Sequence, residues 1–166
     1  MMRRRRGNMV VEVAMWMPVL LLLIAGVIQF GKITYLYYTL RKIEYTIARS
    51  VSIASGVNFC PDATDTLVQG AIAFALTGTS DGSGPPLVSN LTPGMISVTT
   101  ECIDLATGLP GPCDTSGCDG AAGAHRPDYV VVTIPDGYPV QPRIPFILLN
   151  SFQLKPTVAV PYGGVS

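Results

Sequence analysis

The chain has 166 residues and a mass of 17.6 kDa, room for one modest core plus an appendage, since a domain uses roughly 100 to 200 residues. Charged residues make up 13% and hydrophobic residues 48%, a balance that excludes a disordered polyelectrolyte and a nucleic-acid binder. The net charge of zero conceals a split: residues 1–56 hold eight basic and two acidic side chains, whereas residues 57–166 hold three basic and nine acidic ones. Beyond Gly56 lie 13 of the 14 prolines and 13 of the 17 glycines, so the first third is predicted to be helical and the remainder is not.

Arg3, Arg4, Arg5 and Arg6 form a basic block, and residues 13–31 then run for 19 positions without a charge. As a helix this stretch spans about 28 Å, against a hydrocarbon thickness of about 30 Å. The positive-inside bias places the basic block in the cytoplasm and the head across the membrane, with Lys32, Arg41 and Lys42 on the far flank opposing it. A secretory signal peptide shares the basic-then-apolar order, but its apolar region is shorter and ends at a small-residue cleavage site. No such site follows here. Instead apolar residues recur at Ile33, Leu36, Leu40, Ile43, Ile47, Val51 and Ala54, one face of a continuing amphipathic helix. A single helix is therefore expected over residues 8–56, spanning the membrane at 13–31, extending as an amphipathic rod over 32–56, and capped by Gly56.

Glu12 is not explained by anchoring alone. A carboxylate within a spanning helix costs about 2.5–3.5 kcal/mol at the centre and less near the interface, so it marks a partnered group; the plain alternative is an interfacial side chain reaching the headgroups. Cleavage between Gly7 and Asn8 would remove the arginine block, create an amine at Asn8, and leave Glu12 as the fifth residue of the new chain. Amine and carboxylate could then neutralise one another. Pro18 removes the hydrogen bond its amide would give the Ala14 carbonyl and can kink the helix, although spanning helices tolerate proline. Tyr35, Tyr37, Tyr38 and Tyr45 just beyond the apolar run suit an aromatic belt at the outer interface or stacking against neighbouring helices in a fibre.

The string RRRRGNMVVEVAMWMPVLLLLIAGVIQFGKITYLYYTLRKIEYTIARSVSIASG resembles the start of class III prepilin-like proteins, and within them the TadE/TadG-like pseudopilins of Tad pilus systems. That pattern is a short basic leader, glycine at the processing site, glutamate five residues later, proline within the apolar run and a Phe-Gly pair at its end. Gly7, Glu12, Pro18, Phe30 and Gly31 supply it in order. The resemblance implies a leader over residues 1–7, cleavage after Gly7 by a membrane prepilin peptidase, and a Glu12 that meets the new N-terminus of a neighbouring subunit. It also implies unwinding near Pro18 on entry into a filament.

Residues 57–166 are expected to form an α+β head. Asp62 or Thr64 can cap a short helix carrying Leu67, Val68, Ala71, Ile72, Ala75 and Leu76, which Gly78 ends. Thr79 to Pro86 reads as a loop. Strand candidates run Met95 to Leu105, Tyr129 to Ile134, Ile144 to Leu149 and Leu154 to Val160, and Pro135, Pro139, Pro142 and Pro145 favour short antiparallel strands packed on the short helix. The C-terminal stretch from Val130 also resembles TadE-like heads. Cys60, Cys102, Cys113 and Cys118 all fall on the outer side, where disulfides form, and four cysteines allow three pairings. Cys60–Cys102 with Cys113–Cys118 is favoured, because the latter closes a small loop in a glycine-rich segment.

Catalytic raw material is thin. His125 is the single histidine and sits in a Gly-rich loop; Cys113, Cys118 and His125 fit no common zinc spacing, and Asp114, Asp119 and Asp128 lack the regular spacing of a calcium loop. The Asn90–Leu91–Thr92 triplet is a short glycosylation-type match. No enzyme, cofactor or metal is expected. The reading is a structural subunit processed by prepilin peptidase and assembled through its helix, as a minor, priming or tip subunit more readily than a main fibre subunit. Its expected partners are the peptidase, other pilin subunits, the inner-membrane assembly platform and, before assembly, membrane lipid, with no nucleic acid. The expected location is the bacterial inner membrane as precursor, then the pilus or cell surface. The alternative is an uncleaved single-pass envelope protein whose head binds a partner.

Overall fold

The computed structural model describes residues 5–57, 59, 65–113, 127–144, 147–148 and 150–163. Helix α1 (Arg5–Ile53) runs for 49 residues, about 73 Å at 1.5 Å per residue. It continues through Pro18, because one missing backbone bond does not end a helix flanked by Leu, Met and Ala, all strong helix formers. The Ala54 amide donates to the Val51 carbonyl at 3.3 Å, tightening the last turn, and Gly56 follows at φ 75°, where glycine carries no Cβ penalty.

Helix α2 (Thr66–Thr77) is capped by Asp65, whose carboxylate accepts from the Leu67 amide at 2.7 Å. This corrects the expected cap: Asp62 and Thr64 lie outside the described residues, and Asp65 stands where its side chain meets the second orphan amide of the helix. Gly78 ends α2 in the left-handed region, its amide donating to Phe74 O at 2.8 Å. Ile72, Ala75 and Leu76 are buried, while Leu67 in the first turn is exposed.

A 3-10 turn at Pro93–Met95 leads into β1 (Ser97–Ile103), followed by β2 (Pro110–Pro112) and β3 (Tyr129–Thr133). Then come β4 (Tyr138–Val140), β5 (Arg143–Ile144), β6 (Ile147–Leu148), β7 (Phe152–Leu154) and β8 (Thr157–Pro161). The main sheet has the order β2-β1-β3-β8 and is antiparallel throughout, with β4–β7 and β5–β6 as separate two-stranded ladders. The excursion β4 to β7 is nested between the paired strands β3 and β8. The expected strand over Ile144 to Leu149 is thus two two-residue strands, and that over Leu154 to Val160 is divided between β7 and β8 by Lys155 and Pro156. Gly137 turns the chain out of β3 at φ 75°, and a Cβ there would meet the Gln153 Cβ at 2.7 Å, so only glycine fits.

The chain divides into two compact units, Met1–Leu36 with Pro139–Phe152, and Tyr37–Tyr138 with Gln153–Ser166. In the first, the Gln29 amide donates to the Arg143 carbonyl at 2.6 Å. The second contains the hydrophobic core, built from Leu40, Ile43, Ile47, Ala48 and Val51 of α1, the buried face of α2, and Val130, Val132, Ile134, Val158 and Val160 from the sheet and its margin. Strand β8 alternates exposed and buried residues, as a strand with one covered face does.

Cys102 is bonded to Cys113, which corrects the expected pairs Cys60–Cys102 and Cys113–Cys118; Cys60 and Cys118 lie outside the described residues. The reason is strand pairing. Asp104 and Gly108 close a turn between β1 and β2 (Gly108 N to Asp104 O, 2.7 Å), and the register Glu101↔Pro112 returns the chain so that Cys113, the next residue, has its Cα 4.8 Å from that of Cys102. Replacing both with serine (C102S/C113S) is expected to destabilise the head by about 2–4 kcal/mol, read from urea unfolding, and non-reducing peptide mapping should recover the Cys102–Cys113 crosslink.

Candidate functional site

The first half of α1 presents apolar side chains outward along its whole length: Met9 is 71% exposed, Trp16 61%, Leu21 61% and Phe30 73%. By length and composition the helix can cross a membrane, and none of its most apolar window is buried within the chain. A core helix of the same composition would be covered by its own protein. Exposure of even 1,000 Å² of such surface to water costs roughly 25 kcal/mol, so lipid or other protein must cover it.

The residues singled out from sequence lie along this element in the expected order. Gly7 and Asn8 lie in the helical backbone of the first turns of α1, and Glu12 is exposed one turn after Asn8. Pro18 lies inside α1. At Gly26 and Gly31 an added Cβ would meet nothing within 4 Å, so both leave flat, open patches against which a neighbouring helix can approach closely. Tyr35, Tyr38 and Tyr45 are exposed, and Tyr37 packs edge-on against Tyr38 with ring centroids 6.1 Å apart. Cys113, held in its disulfide, is not a thiolate available for zinc. Among the described residues no three His, Cys, Asp or Glu side chains cluster as metal ligands.

Sequence reading passed over Glu44. It lies in the second unit on the buried stripe of α1, four residues after Leu40 and three before Ile47, and is only 1% exposed. Among the described residues neither carboxyl oxygen has a hydrogen-bond partner. Burial raises its pKa from the ordinary 4.5 to about 7, against the lowering influence of the Arg41 guanidinium. The signal was present, since an acidic residue among apolar positions spaced by three and four is out of pattern.

Residues 7–49 match the family model of the TadE-like proteins. The TadE-like segment is about a quarter of the chain. It begins at Gly7, takes in Glu12, Pro18, Phe30 and Gly31, the exposed apolar half of α1 and the core-facing stripe as far as Ala48, and ends at the exposed Arg49. No curated protein and no solved structure matches the chain.

The titration of Glu44 has a defined sign. Its folded pKa lies above the unfolded value, so the folded chain binds more protons between about pH 4.5 and 7. The associated stability is fully present below 4.5 and is lost as pH rises through about 7. Urea midpoints of the detergent-solubilised chain should therefore fall between pH 5 and 8, by as much as about 3 kcal/mol in unfolding free energy. Glu44→Gln should flatten that dependence.

Proposed function

We propose that the chain is a pilin-like structural subunit of a Tad-type pilus. It is inserted in the bacterial inner membrane with its basic N-terminus in the cytoplasm and its head outside, and prepilin peptidase trims it between Gly7 and Asn8. The observation that carries this reading is the TadE-like match itself, which starts at Gly7 and covers the helix half whose apolar surface the chain leaves exposed. Its role is assembly and not turnover. Lipid covers the apolar face before assembly, and the helices of neighbouring pilin subunits cover it afterwards, at the assembly platform.

Trimming removes four arginines and no acidic residue, which takes the formal charge of the chain from zero to −4. In the dry helical core of a fibre the Asn8 amine of one subunit and a Glu12 carboxylate neutralise one another, and this demand sets the axial register. A head of this size suits a minor, priming or tip subunit.

One observation favours a second reading, an uncleaved single-pass anchor whose head binds an envelope partner: the backbone from Arg5 to Asn8 continues α1 without a break, and a peptidase must unwind that turn to reach the bond. N-terminal sequencing of the mature protein separates the two, with a start at Asn8 expected and an intact arginine block supporting the anchor. Glu12→Ala should be trimmed normally but enter fibres poorly. Loss of one partner of a buried charge pair costs about 3 kcal/mol, on the order of a hundredfold in affinity, and fibres with normal content of that variant would refute the role given to Glu12.

A further inference from the structure

The main sheet has two edges of different character. At β2 the edge strand is three residues long and carries Pro110 and Pro112, which have no amide to donate. At β8 the edge is five residues long, and only its last residue is a proline. The register shows which groups of β8 have no partner strand among the described residues. Pro161 has no amide to give Tyr129, and Tyr162 N, one step beyond, donates to Asp128 O at 2.9 Å, so Tyr129 and Pro161 form a pair that does not exchange hydrogen bonds. Such pairs alternate along an antiparallel ladder. Val130 with Val160 and Val132 with Val158 are then the pairs that bond, and the amides and carbonyls of Thr157 and Ala159 point away from β3.

Beside that open edge, α1 places Tyr38, Arg41, Lys42 and Tyr45, which with β8 residues 157–159 line a groove of about 450 Å³. Tyr38 is 65% and Tyr45 49% exposed. We propose that this groove binds an extended acidic segment of another polypeptide, which adds to β8 as a fifth strand. The backbone of the segment would bond to Thr157 and Ala159, and its alternate side chains, two residues apart, would lie over the two cations and the two tyrosine rings. A phosphate or headgroup alone would leave the edge amides unused. A second copy paired β8 to β8 about a two-fold axis would set Arg41 and Lys42 against their own counterparts, a like-charge contact that opposes it. The groove belongs wholly to the unit Tyr37–Tyr138 with Gln153–Ser166, and the proposal stands whether or not the chain is a pilus subunit.

The test uses the full chain in detergent and a fluorescein-labelled peptide of alternating glutamate and valine. Binding is expected, with a lysine–valine peptide binding at least about tenfold more weakly, as is Arg41→Glu/Lys42→Glu toward the acidic peptide. Ala159→Pro removes one outward donor without touching the β3 ladder, on an edge strand where proline is tolerated, and should cost about tenfold, the worth of one hydrogen bond. A peptide N-methylated at alternate residues tests the same point without altering the protein and should not bind. Wild-type affinity for the methylated peptide would overturn strand addition, as would equal binding of the lysine–valine peptide or no binding of the acidic one. Concentration-dependent self-association abolished by Ala159→Pro would assign the edge to a second copy and overturn the proposal likewise.

Discussion

A single helix of 49 residues must keep its apolar side chains out of water along its whole length, and the chain itself covers only the C-terminal half of them. From Leu40 to Val51 the stripe is buried in the core; from Met9 to Phe30 nearly every large side chain is exposed. The hydrophobic effect scales with area and does not depend on what supplies the cover. The same physical demand is thus met by a folded core at one end and must be met by lipid or other helices at the other.

Two carboxylates on that helix, Glu12 and Glu44, illustrate how context divides one chemistry. Glu12 is exposed in the isolated chain and would acquire a dry environment only on insertion or assembly, where a cation is the natural partner. Glu44 is already dry. With both oxygens unpartnered and burial raising its pKa to about 7, it carries a desolvation cost that a neutral carboxyl lowers.

The head's small sheet is held by nesting. β3 and β8 are neighbours in the sheet, yet four short strands separate them in sequence, so their pairing closes a loop whose entropy local hairpins must offset. Gly137 permits the tight exit from β3, and the Cys102–Cys113 bond ties β1 to β2. Those devices secure one edge and the centre and leave β8 open. An open edge is a liability in water unless something pairs with it, and the tyrosines and cations beside it give that pairing a chemistry.

Much of this was legible beforehand. The basic block, the uncharged 19-residue run and the three-and-four spacing beyond it are local patterns, and local patterns suffice for a helix because its hydrogen bonds and its face both repeat within four residues. Sequence alone therefore determined the long apolar helix, the glycine that ends α2, and the order Gly7, Glu12, Pro18, Phe30, Gly31 that the TadE-like match contains. Only the tertiary structure decided what depends on distant partners. The cysteine pairing followed the β1–β2 register and not the shortest loop, and the cap of α2 fell on Asp65. Glu44 became a buried orphan because a core closed over it, and β8 became an edge because, among the described residues, no strand pairs beyond it. Strand partners and burial join residues far apart in the chain, and no window of sequence contains both sides of such a contact.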